Sequence, residues 1–85
     1  MTLSDFIKST YVVGTIIFSV VSDDLEEVER HTIHVYEPLK SSDIYMLRNE
    51  DDRFLYISDY EDMQIQQVSA WENGVGLVIE LVQRG

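Results

Sequence analysis

Tyr11-Val12-Val13-Gly14-Thr15-Ile16-Ile17-Phe18-Ser19-Val20-Val21 is the one long apolar stretch of the chain, and its reading decides the fold. Eleven residues are too few to cross a bilayer as a helix, which takes about 20. β-Branched and aromatic side chains dominate the stretch, and such residues pack best on a pleated surface. Its even positions, Val12, Gly14, Ile16, Phe18 and Val20, are wholly apolar, whereas the odd set includes Thr15 and Ser19. That period of two predicts a strand over residues 11–21 with one fully buried face. The odd set also carries Tyr11, Val13, Ile17 and Val21, more apolar surface than a solvated face needs. Either a helix covers one face and a partner subunit the other, or the sheet bends. The stretch is not read as a signal peptide, because Asp5 accompanies Lys8 before it and no small-x-small site follows, so the expectation is mature protein in the cytoplasm.

Working outward, Thr2 with Asp5 three positions on forms a capping-box pattern and predicts a short helix over residues 3–8. Leu3, Phe6 and Ile7 share one side of it, so it must dock on something larger. Downstream, Ser22, Asp23 and Asp24 read as a turn, and residues 29–36 alternate again, with Ile33 and Val35 facing one way and Thr32, His34 and Tyr36 the other. This predicts a second strand antiparallel to the first, ended by Pro38, which has no donor for a ladder. Residues 40–62 admit two readings. Ser41 or Ser42 before Asp43 suits a helix cap, while residues 49–52 suit the turn of a hairpin between 44–48 and 53–57. The reading adopted is a short helix followed by an irregular connection. The last unit is a hairpin of residues 63–71 and 75–82 turning through Glu72, Asn73 and Gly74, since Asn-Gly tolerates the positive φ values of a tight turn. In it Leu77, Ile79 and Leu81 face inward, and Val78 and Val82 leave the outer face partly apolar.

These elements make one α+β domain over residues 1–85, a short N-terminal helix with a four-stranded, mainly antiparallel sheet. A chain of 85 residues with 45% hydrophobic residues and no cysteine is stabilised by packing alone; disulfide scaffolds, Cys-ligated zinc and thiol catalysis are excluded. Sixteen acidic residues against six Lys and Arg give a formal charge of −10 at pH 7. Phosphates would be repelled rather than neutralised, so neither nucleic acid nor an anionic membrane is the expected partner.

Chemistry-bearing constellations are sparse. His31 and His34 stand three apart, which in a strand sends them to opposite faces and denies them a shared metal. None of the acidic clusters has the order of a calcium-binding loop, and a domain this small has little room for the cleft a pair of catalytic carboxylates needs. The serines lack a nucleophile elbow, and Gly74-Val75-Gly76 lacks the lysine and following helix of a phosphate loop. No enzyme, cofactor or metal site is therefore expected.

The acids themselves form the remaining candidate. Asp23, Asp24, Glu26, Glu27 and Glu29 are five in seven residues; Glu50, Asp51 and Asp52 are bracketed by Arg48 and Arg53; Asp59, Glu61 and Asp62 form a third group. Clustered charge ordinarily serves solubility. The sharper reading is a rim of carboxylates standing in for a phosphate backbone, which in duplex DNA carries one charge per ~1.7 Å. The expected protein-binding rim is Asp23, Asp24, Glu26, Glu27, Glu29, Asp59, Glu61 and Asp62. Tyr56, Tyr60 and Trp71 are candidate interface aromatics, with core or rim packing as their alternative.

The opening Leu3-Ser4-Asp5-Phe6-Ile7, leading into a strand, and the ending Val68-Ser69-Ala70-Trp71-Glu72-Asn73-Gly74 with Leu77-Val78-Ile79-Glu80-Leu81 resemble the short acidic proteins encoded by bacteriophages and prophages of Gram-positive bacteria. Some of these, the anti-CRISPR inhibitors, are similar in size and acidity and occupy the nucleic-acid groove of a CRISPR nuclease. The resemblance implies a phage-derived accessory or inhibitory protein and carries no binding residue across, since residues 39–62 match nothing in it. The expectation is a non-catalytic module engaging a basic, nucleic-acid-binding protein, with a DNA mimic as its sharpest form. The alternative is a structural homo-oligomer, a homodimer in the simplest case, joined through the second apolar face or an unpaired edge strand.

Overall fold

The Thr2 hydroxyl accepts from the Asp5 N-H at 3.2 Å while the Asp5 carboxylate accepts from the Thr2 N-H at 3.1 Å, and this reciprocal cap opens α1 (Leu3–Ser9) as the sequence predicts. Two further N-H groups of its first turn, from Leu3 and Ser4, donate to the carbonyls of Met63 and Glu61. A seven-residue helix has little stability alone, so these bonds and the complete burial of Leu3 hold it in place. The computed structural model describes residues 1–70 and 76–83.

The apolar stretch becomes β1 (Gly14–Val21), the second strand β2 (Glu27–Val35), and the C-terminal hairpin β5 (Gln64–Ala70) with β6 (Gly76–Val82). The turn residues Glu72, Asn73 and Gly74, and with them Trp71, lie outside the described residues. The four strands form one sheet in the order β2-β1-β6-β5. β2 runs antiparallel to β1 with Ile16 opposite Ile33, and β5 antiparallel to β6 with Val68 opposite Ile79. The central pair, β1 and β6, is parallel, with Phe18 beside Ile79. That pairing brings the C-terminal ends of both strands to the same end of the sheet.

The inner face follows the predicted alternation. Ile16, Phe18 and Val20 of β1, Ile33 and Val35 of β2, and Ile79 and Leu81 of β6 are buried in one core with Leu3. Gly14 and the residues before it contribute less, since the strand proper starts three residues later than the apolar stretch. The odd face of β1 is also closed, within a single chain: Ile17 is 3% and Val21 4% exposed. Its neighbours do the covering. β2 presents Thr32, Arg30 and Glu27 opposite Ile17, Ser19 and Val21, and β6 presents Val78, Glu80 and Val82 beside them. Their side chains lie over the centre of the sheet while keeping polar ends in water. Tyr11 and Val13, which precede β1, stay 74% and 44% exposed, so the odd set is buried inside the strand proper and open before it.

One expectation is corrected. Residues 40–62 contain no α-helix; they form a two-stranded antiparallel ribbon of β3 (Ile44–Met46) and β4 (Phe54–Tyr56), then a single 3-10 turn (Ile57–Asp59). Asn49 and Asp52 take left-handed φ values of 63° and 60°, a conformation that Asn and Asp tolerate and a continuing helix cannot contain. Tyr45 and Leu47 then point the same way as Leu55 and Ile57, and the last three reach the core. Burial of that inner set outweighs helix propensity in so short a segment.

Candidate functional site

The parallel pairing of β1 and β6 gathers two of the three acidic clusters. β1 and β6 end, and β2 and β5 begin, at the same end of the sheet, with Val21 beside Val82 and Glu27, and Val82 beside Gln64. Asp23 and Asp24 form the turn beyond β1, with Glu26, Glu27 and Glu29 following, and all five are exposed. Asp59 and Asp62 border a concavity with Gln64, Val82 and Gln83, which places the third cluster at this pole too. Glu61 lies between them, half-buried, its carbonyl capping α1. The rim expected from sequence is thus assembled from segments about thirty residues apart.

Specific bonds fix parts of it. The Tyr60 hydroxyl donates to Glu29 Oε2 at 3.1 Å, and the same oxygen accepts from His31 Nε2 at 3.3 Å. Tyr60 stacks on Phe18 with ring centroids 6.2 Å apart, so the aromatic ring belongs to the core edge and its hydroxyl to the rim. Burial, the Glu29 charge and the bond to Glu29 push the Tyr60 phenol up to about 12. On the outer face, Glu27 Oε1 accepts from Arg30 and Ser19, each at 3.0 Å, and the Arg30 bond foremost holds its carboxyl below the usual range. Asp23, Asp24 and Glu26 are exposed, and among the described residues none of their side chains has a hydrogen-bond partner.

Two further features sit beside the acids. Leu25, flanked by Asp24 and Glu26, is 58% exposed with φ 63°, a conformation a leucine adopts only at a cost. On the outward side of the β3–β4 ribbon, Ile44, Met46, Phe54 and Tyr56 are all exposed. Tyr56 was singled out by sequence; Ile44, Met46 and Phe54 were not. Their signal was present as apolar residues at alternate positions on both sides of the turn, 44 and 46, then 54 and 56. Trp71 lies outside the described residues.

His31 and His34 lie on opposite faces, His31 against Glu29 and His34 against Tyr36 at 4.9 Å between rings. Among the described residues no three His, Asp or Glu side chains converge as metal ligands, and no helix is long and apolar enough to cross a membrane. No family model, curated protein or solved structure matches this chain.

Proposed function

We propose that this chain is a non-catalytic, acidic protein-binding module of the phage accessory or inhibitory kind, acting in the cytoplasm on a basic, nucleic-acid-binding protein. The observation that carries the reading is the convergence of Asp23, Asp24, Glu26, Glu27 and Glu29 with Asp59, Glu61 and Asp62 at one pole of the sheet. A line of carboxylates on a rigid edge presents charge where a partner's lysines and arginines expect phosphates. Such attraction speeds encounter and selects cationic surfaces. The homo-oligomer alternative drew on the apolar odd face of the first strand, of which Ile17 and Val21 are covered inside one chain while Tyr11 and Val13 are exposed, and on an unpaired edge strand, a place held in the sheet by β2 and β5.

The test is competition for the heparin-retained proteins of a bacterial lysate. A captured protein should be released by high salt, should lose its DNA when this chain is added, and should bind the D23N/D24N/E26Q variant about tenfold more weakly or worse. Binding indifferent to salt and to those three substitutions would falsify the reading.

A further inference from the structure

The outward face of the β3–β4 ribbon is the second feature that asks for a partner. Its register sets Ile44 opposite Tyr56 and Met46 opposite Phe54, so the four side chains form two cross-strand pairs on one side. Tyr56 is 45%, Phe54 49%, Ile44 55% and Met46 62% exposed. Single exposed hydrophobics are ordinary, but adjoining pairs with no cover make a contiguous patch. The ribbon cannot turn the patch inward, because a one-residue slip would expose Tyr45, Leu47, Leu55 and Ile57 instead.

Charge identifies the occupant. Glu50, Asp51 and Asp52 form the turn at one end of the patch; at the other, the Asp43 carboxylate accepts from the Lys40 N-H and the Tyr45 hydroxyl. A concavity of about 300 Å³ joins Phe54 to Val28 and Glu29, making the patch continuous with the acidic pole. Glu37 lines a second concavity beside Ile44. The cations of this neighbourhood are Lys40, Arg48 and Arg53, and Arg53 stands 3.7 Å from Glu50. Carboxylates therefore dominate the border. In a two-fold contact between copies, each acidic border would meet the same border of its mate. Like charges opposed in this way cost affinity, so a second copy is a poor fit.

We infer that this face docks a segment of a basic protein in which apolar side chains are interspersed with Lys or Arg. The apolar residues seat on Met46 and Phe54, and the cations reach Glu50 to Asp52 at the turn. The flexible Met46 adapts to its partner, while Phe54 and Tyr56 supply rigid area. The inference rests on the proposed binding of a basic protein and assigns the apolar half of that contact.

The experiment uses the full chain, isotope-labelled, titrated with three synthetic peptides: alternating Leu-Lys, alternating Leu-Glu, and oligolysine. Leu-Lys should shift the resonances of Ile44, Met46, Phe54 and Tyr56. M46T/F54T should weaken that binding about tenfold or more while leaving the fold intact, since threonine keeps strand propensity at two half-exposed sites. Oligolysine should perturb the acidic pole and the Glu50 to Asp52 turn without shifting Ile44, Met46, Phe54 or Tyr56, and should bind M46T/F54T undiminished. Equal affinity of M46T/F54T for Leu-Lys, or Leu-Glu binding as well as Leu-Lys, overturns the inference. So does a dimer, seen by sedimentation, that M46T/F54T dissolves. Loss of oligolysine binding at the pole instead counts against the proposed function, so the two failures are separable.

Discussion

The hydroxyl of Tyr60 donates to Glu29 Oε2 at 3.1 Å, tying together two acidic segments 31 residues apart. The bond also makes the protein sensitive to alkali. Tyr60 is pushed up to about 12 by burial and then by Glu29, and Tyr45 likewise to about 12 by burial and its bond to Asp43. A phenol whose folded pKa lies above the ordinary 10.0 keeps its proton more tightly in the folded chain. That contribution is complete below about pH 10 and is lost as pH rises toward 12. Stability to urea should therefore decline over that window, and Y45F/Y60F should flatten the decline while removing tyrosinate absorbance that develops near pH 12. At neutral pH, Tyr60→Phe keeps the stack on Phe18 and should cost about 1 kcal/mol or less. A decline that persists unchanged in the double variant would show that other groups cause it.

Leu25 trades stability for exposure. Its left-handed backbone costs a leucine roughly 1 kcal/mol relative to Asn, which visits that region readily. Leu25→Asn should raise the unfolding free energy by about that amount and, by removing an exposed apolar side chain from among Asp23, Asp24 and Glu26, weaken capture of a basic partner. Denaturant titration and a binding isotherm on the same variant measure both. A less stable L25N would refute the account of strain.

Gly76 is required by its neighbour's backbone. A Cβ there would stand 2.2 Å from the Thr15 carbonyl oxygen, inside the parallel pairing of β1 and β6. Main chain held by a ladder cannot step aside, so Gly76→Ala should cost about 3 kcal/mol. For a small domain that is a large part of the total, and thermal unfolding should reveal it. A melting temperature equal to that of the parent would mean that the two central strands are less tightly apposed.

Lowering the pH should act on stability through Glu27 and its bond to Arg30. Glu27, held below 4.5 first by Arg30 and also by Ser19, has a depressed folded pKa. Its contribution is present above about pH 4.5 and lost as pH falls through the lowered value. Glu27→Gln should reduce the loss of stability on acidification, whereas D23N/D24N/E26Q should raise stability at neutral pH in low salt by relieving like-charge repulsion. Urea unfolding across pH 3 to 7, roughly the carboxylate range, separates the two variants. Identical profiles would remove the distinction.

How much of this was legible follows from the range of each interaction. The Thr2–Asp5 cap and the alternation of β1, β2, β5 and β6 depend on residues a few positions apart, and these elements follow the predicted pattern, with β1 starting three residues late. At 44–56 the structure has the hairpin that stood as the alternative to a short helix and an irregular connection; alternation of polarity is the usual sign of a strand, and here the outward residues are apolar as well. The property that obscured the strand is the one that leaves Ile44, Met46, Phe54 and Tyr56 exposed on its outer face.

The chain's own pattern determined the α+β class, the identity of the inward faces, the excess of carboxylates and the exclusion of thiol chemistry, because each depends on composition or on a local period. Only the tertiary structure decided that β6 lies parallel beside β1, and with it that Asp59 to Asp62 join Asp23 to Glu29 at one pole. It alone also decided that the odd face of β1 is closed by its neighbours and that Ile44, Met46, Phe54 and Tyr56 form one patch. Those outcomes depend on pairing between strands distant in sequence, selected by burial of the whole core against the cost of closing long loops, and no short window of residues carries that balance.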